Sequence, residues 1–134
     1  ETLERDLNSI PYARGVSNHM GSSFTEDERA MRILLSVLKE HGFFFLDSLT
    51  TSKSAGVRLA KEQGVKILKR DIFLDYNDSP SDIKTEWDKL IAIAQKNGYA
   101  IALAHPKKNT IEFLRKTLPS NKVTVVPISK LAGD

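Results

Sequence analysis

Short, continuously apolar runs alternate with amphipathic stretches along most of this chain. Leu3 and Leu7, four residues apart, mark residues 1–9 as the tail of a helix. Pro11 stops it, because proline cannot donate the next helical hydrogen bond. Gly15–Asn18 reads as a first strand. Thr25-Glu26-Asp27-Glu28 has the pattern of a capping box, and Met31, Leu34, Leu35 and Leu38 then make one apolar helical face. Phe43–Leu46 is a second strand, apolar on both faces. Thr51 or Ser52 caps a shorter helix carrying Val57 and Ala60 inward, followed by a third strand, Val65–Leu68. Ile72–Asp75 is an apolar excursion before the turn Tyr76-Asn77-Asp78. Ser79-Pro80 opens the longest helix, with Ile83, Trp87, Leu90, Ile91 and Ala94 inward. Tyr99–Ala104 is a fourth strand. Asn109 caps a helix with Ile111, Leu114 and Leu118, and Val123–Val126 is a fifth strand.

Gly42, Gly64 and Gly98 each stand between a helix and the next strand, where a left-handed C-cap is needed. Strict alternation of helices with continuously apolar strands predicts an α/β fold with a parallel sheet and helices packed outside. Right-handed crossovers place every strand's carboxyl end on one rim. Asn18-His19, Asp47, Arg70-Asp71 and His105 are the residues at those ends. Five strands cannot close a barrel, so an open sheet or an incomplete barrel with an exposed edge at the first strand is expected.

Composition narrows the classes. The 134 residues amount to one domain or part of a larger one, with 40% hydrophobic and 28% charged residues, as in an ordinary globular protein. Net charge is +3, with no basic run interleaved with aromatics, which argues against nucleic acid as a partner. Cysteine is absent, removing disulfides, thiolate metal ligands and thiol nucleophiles together. No stretch reaches the ~20 apolar residues of a transmembrane segment. The start at Glu1, already in helix and without Met, reads as part of a longer protein.

Chemistry collects at the strand ends. His19, next to Asn18 and close to Ser22 and Ser23, is a candidate metal ligand or a histidine that pins a loop. His105 follows a strand of small residues and precedes Pro106, which suits either a general acid with room for a leaving group or a histidine that anchors a loop. Arg70 and Asp71 are adjacent, so on extended backbone they point to opposite faces, and one of them enters the rim. Asp47 with Ser48 is a ligand, a base or a cap for the turn, while Asp75 is a weaker candidate, readable as a turn residue. His41 sits in a last helical turn and suits the helix dipole. Gly-rich phosphate loops, dinucleotide fingerprints, nucleophile elbows and paired helical histidines are all missing, so any metal needs ligands from different strands.

Four blocks carry a family resemblance: Gly15-Val16-Ser17-Asn18-His19-Met20-Gly21-Ser22, Phe44-Phe45-Leu46-Asp47-Ser48, Arg70-Asp71-Ile72-Phe73-Leu74-Asp75 and Ala102-Leu103-Ala104-His105-Pro106. In this order they resemble the divergent polysaccharide deacetylases, with Ser17 where that family often has Asn. The first and third blocks are the specific ones. The resemblance implies the second half of a distorted (β/α) barrel, related to NodB-type carbohydrate esterases that remove N- or O-acetyl groups with a divalent metal, zinc being the expected ion. By position it implies His19 at the metal, Asn18, Asp47 and Ser48 toward the substrate, and Arg70, Asp71 and His105 in catalysis, with His105 as the late-strand acid. The family's paired-Asp motif lies upstream of anything present, so residues 1–134 are expected to be the C-terminal part of a larger domain and inactive alone. An acetylated glycan and the missing N-terminal half are the implied partners, and the periplasm or cell exterior the implied location.

Two other readings stand beside this one. A non-catalytic glycan-binding or envelope module on the same fold would have lost the upstream acidic pair. A small flavodoxin-like domain, complete in itself, would fold alone as a monomer.

Overall fold

The structure is a computed structural model that describes residues 2–18, 22–120 and 123–133. In chain order its first elements are α1 (Thr2–Asn8), β1 (Gly15–Ser17), α2 (Ser22–Glu26), α3 (Glu28–His41), β2 (Phe44–Asp47), α4 (Gly56–Gln63) and β3 (Ile67–Lys69). Then come β4 (Ile72–Phe73), α5 (Pro80–Asn97), β5 (Ala102–Leu103), α6 (Lys108–Thr117), a 3-10 turn (Leu118–Ser120) and α7 (Ile128–Leu131). They form two compact units, Glu1–Lys69 with Pro127–Asp134, and Arg70–Val126.

The first unit is built on a three-stranded parallel sheet in the order β1-β2-β3. Val16 stands opposite Phe45, and Asp47 opposite Lys69. The central strand is apolar on both sides because both sides are covered, and Phe45 and Leu46 are buried. Met31, Leu34, Leu35 and Leu38 of α3, Leu59 and Ala60 of α4, Phe45 and Val65 form its core with Leu7. Full burial of each large aliphatic side chain contributes about 1.5–3 kcal/mol. The expected C-caps are present: Gly42 and Gly64 take left-handed conformations with φ of 71° and 73°.

Helix starts differ from the sequence reading. Asp27, not Thr25, caps α3, accepting the Ala30 amide at 3.1 Å. Thr25 is fully buried in α2, and its hydroxyl donates back to the Ser22 carbonyl, so it cannot serve the next helix. Neither Thr51 nor Ser52 caps α4, which begins after Ala55. The Thr51 hydroxyl instead donates to Glu26 and accepts the Lys53 amide.

The second unit holds the parallel pair β4-β5, with Ile72 opposite Ala102 and Phe73 opposite Leu103. The segment at Ile72 is thus a strand and not a mere excursion. Of the five strands expected in one sheet, three form one sheet and the fourth is β5, paired with the unexpected β4, while Val123–Val126 forms no strand among the described residues. Val125 and Val126 are 64% and 44% exposed. Strand propensity depends on a neighbouring edge, and no described strand pairs with this segment. Ser79 caps α5 through the Asp82 amide, with Pro80 at its first position. Ile83 and Trp87 lie inward beside Leu74, and Trp87 meets the Phe113 ring edge-on at 5.8 Å.

Helix α6 is turned relative to expectation. Ile111 and Leu118 are exposed, and Thr110, Phe113 and Leu114 face inward. Its cap position is Lys107, and Asn109 donates from its side chain to the Asp78 carbonyl. The cause is polar: the Thr110 hydroxyl is drawn to a buried carboxylate, and the helix rotates to deliver it. No helix among the described residues is long and apolar enough to cross a membrane.

Candidate functional site

In the second unit the strand ends bring three side chains together. Asp75 follows β4 directly after Leu74 and is 1% exposed. Its Oδ2 accepts the His105 backbone amide at 2.7 Å and the Thr110 hydroxyl at 2.8 Å. Its Oδ1 lies 2.8 Å from His105 Nδ1. A carboxylate only accepts, so this contact assigns the ring proton to Nδ1. The His105 side chain is 44% exposed.

Burial alone would raise the Asp75 pKa, and it is the largest single influence. Hydrogen bonds from the His105 ring, the His105 amide and Thr110 together outweigh it, leaving the carboxyl below the usual range. Asp75 is therefore an anion inside the protein, held by donors on two sides.

Asp71 and Arg70 serve this unit differently. Asp71 Oδ2 accepts the Ile101 amide at 2.7 Å, while the Asp71 amide donates to the Ile101 carbonyl at 2.8 Å. The carboxylate is thus engaged with backbone. The Arg70 guanidinium lies 3.9 Å above the centre of the Phe73 ring, a cation–π contact.

In the first unit, Asn18, Asp47 and Ser48 stand together where β1 and β2 end. The Ser48 amide donates to Asn18 Oδ1 at 2.9 Å and its hydroxyl to the Asn18 carbonyl at 2.6 Å. Asp47 is fully buried, accepting the Leu49 amide at 2.9 Å and the Ser54 hydroxyl at 2.5 Å. It shapes the following loop as an Asx turn, in which Leu49 is held at a φ of 50°. Further stitches join Ser22 to Thr50 and Thr51 to Glu26. His19 lies outside the described residues, between Asn18 and this loop in sequence. His41 ends α3 and packs its ring 5.6 Å from that of Phe43, a structural place.

The sequence reading underweighted Asp75 and missed Thr110. Asp75 ends an apolar run, as Asp47 does, and that shared pattern was the available signal. Thr110 gives none, because a threonine in the first turn of an amphipathic helix is ordinary.

Among the described residues, no three His, Asp or Glu side chains gather as a metal site. Asp47 and Asp75 have both carboxylate oxygens engaged by protein donors.

A parallel α/β architecture with polar groups at the strand ends defines the class. The sequence model of the divergent polysaccharide deacetylases matches residues 1–132, and the chain belongs to that family. It is 35% identical over 131 residues to the uncharacterized protein YibQ of Escherichia coli K12, covering 96% of this chain and 41% of YibQ. It is 44% identical over 111 residues to an uncharacterized protein of Haemophilus influenzae, covering 83% of this chain and 40% of that one. The crystal structure of the uncharacterized protein ATU2773 from Agrobacterium tumefaciens C58 superposes with a TM-score of 0.81 at 25% identity, over 87% of this chain and 49% of that chain. The chain spans about two fifths of the length of these curated relatives.

Proposed function

We propose that this chain is the part of a carbohydrate deacetylase that protonates the leaving group and holds the glycan. The observation that carries this reading is the Asp75–His105 pair, with Thr110 as the second donor to the same carboxylate. In the reaction, water adds to an acetyl carbonyl, the bond from that carbon to nitrogen or oxygen breaks, and acetate leaves. His105, once its ring has taken up the proton that the attacking water gives up, passes the Nε2 proton to the departing amine or alcohol. Asp75 keeps the ring in the required tautomer and orientation, and its negative charge steadies the ring while it carries two protons. Thr110 and the His105 amide fix Asp75 itself.

A divalent ion, zinc in the family resemblance, would polarise the carbonyl and activate the water. His19 is the residue of this chain proposed to reach it, with further ligands from outside residues 1–134. Family membership supports a glycan substrate and an envelope location, periplasmic or exterior.

The test uses the full-length protein supplied with zinc, acetylated oligosaccharides and acetate release as the readout. Metal content is measured in parallel with the His19→Ala variant. Turnover lost in His105→Ala, with one bound ion lost in His19→Ala, is the expected result. The alternative is a glycan-binding module on the same fold, without catalysis. Metal-free protein that binds glycan without releasing acetate would establish it.

A further inference from the structure

The amino ends of the parallel strands β1, β2 and β3 surround a cavity of about 200 Å³ within the first unit. It lies at the opposite end of that sheet from Asn18, which follows β1, and Asp47, which ends β2. Three cationic residues line it, each from a different element. Arg14 precedes β1, Lys66 precedes β3, and Lys39 belongs to the last turn of α3. Phe43, Phe44 and Val65 supply an apolar wall, and no acidic residue lines the cavity among the described residues.

The backbone holds these positions. The Phe44 amide donates to the Arg14 carbonyl at 3.2 Å and the Phe45 amide to the Lys66 carbonyl at 3.0 Å, so Arg14 and Lys66 flank the central strand on its two edges. The left-handed caps Gly42 and Gly64 bring the ends of α3 and α4 to the same place. An added Cβ at Gly64 would have Lys39 Nζ as its nearest neighbour, at 3.8 Å. The ammonium of α3 thus reaches across to the cap of α4.

A plainer role accounts for part of this charge. Lys39 suits the negative end of its own helix, and α4 ends beside it. Each helix end carries roughly half a negative charge, so the two together offset about one of the three cations. About two positive charges remain, next to apolar walls of low dielectric that focus their field.

We propose that this cavity binds a phosphate group. A phosphate monoester carries about −1.5 to −2 charge at pH 7, which matches that excess, whereas a carboxylate carries one charge. Arginine meets phosphate oxygens through its planar fork and lysine as a point charge, and the cavity presents both. Its volume is below the ~300–1,000 Å³ of pockets that engulf a drug-sized ligand, so it takes the phosphate head and leaves any stem outside. Free phosphate and the headgroup of a lipid share this chemistry.

The test uses the full-length protein at pH 7.5, with the Gly42 and Gly64 amides at the cavity and the Gly98 amide of the second unit followed by NMR. Potassium phosphate is titrated against potassium chloride of equal ionic strength. Vesicles of phosphatidylcholine, with and without phosphatidic acid, are sedimented with the same protein. Saturable movement of Gly42 and Gly64 with phosphate alone, while Gly98 stays still, is the expected result. Lys39→Gln and Lys66→Gln should each weaken binding about threefold and together about tenfold, as befits exposed charges. Both side chains are exposed, so these variants leave the core intact. Sedimentation with phosphatidic acid that the double variant loses assigns the group to a lipid, and saturation by phosphate without it assigns a soluble phosphate. Shifts that chloride reproduces, an affinity unchanged in the double variant, or neither saturation nor lysine-dependent sedimentation overturns the proposal.

Discussion

Asp75 holds His105 twice, through the backbone amide and through ring Nδ1, across thirty positions of sequence. One carboxylate therefore fixes both where the histidine's backbone lies and which way its ring faces. A histidine tied only by its ring could swing with its loop. This one cannot do so without exposing a buried anion.

Asp75→Asn tests that coupling. The amide keeps the shape but offers one donor and no charge, so the ring either reverses its tautomer or loses its partner. If the full-length protein releases acetate as proposed, kcat is expected to fall by about a hundredfold, within the range of positioned acid–base groups. KM is expected to stay within about threefold. A loss confined to KM would place His105 in binding and not in proton transfer.

Thr110→Val removes one donor from the same carboxylate while filling the same space. Loss of a hydrogen bond to a charged, buried group is expected to cost about 1.5–3 kcal/mol in urea unfolding. Thr110→Ser should recover most of it, since it restores the hydroxyl.

Acid stability follows from the direction of the Asp75 shift. The native carboxyl titrates below its unfolded value, so between the two values the unfolded chain binds more protons. The stabilisation is fully present above the ordinary carboxylate pKa of about 4 and is lost as pH falls through the lower native value. Urea midpoints measured from pH 6 down to pH 2 should decline less steeply in Asp75→Asn than in the parent protein. Equal slopes would contradict the assignment.

Two glycine substitutions should fail for different reasons. At Gly56 an added Cβ would come within 2.9 Å of Asp47 Oδ2 and 3.3 Å of Ser54 Oγ. Gly56→Ala should therefore cost about 1–3 kcal/mol by overpacking, despite alanine's better helix propensity, and should speed exchange of the Leu49 amide. Gly42→Ala meets no atom within 4 Å and is strained only by its φ of 71°. Its cost should be about 1–2 kcal/mol, with Leu49 exchange unchanged.

Much of this fold could be read from the chain because periodicity and glycine caps are local signals. The face of α3, the left-handed Gly42, Gly64 and Gly98, and the Ser79-Pro80 start are all present as read. What failed was decided by tertiary contact. Thr25 has the composition of a cap, but burial gave its hydroxyl another partner. Val123–Val126 has strand composition but no described edge to pair with. Helix α6 was misphased because its apolar pattern competes with one hydroxyl answering a buried anion. Asp71 stands apart from these: its carboxylate accepts the Ile101 amide, a contact of which the sequence gives no sign.

That backbone bond has a wider consequence. Asp71 with Ile101, Ile72 with Ala102, Phe73 with Leu103 and Asp75 with His105 all share one offset of thirty. Two aspartates bracket a two-residue ladder, and the proposed proton donor is the last rung. Residues 71–75 and 101–105 thus behave as two halves of a zip fastener. Chain can be added or removed at the exposed turn before α5 with the teeth still meeting. Removing a single residue inside either half would unseat the histidine without touching it.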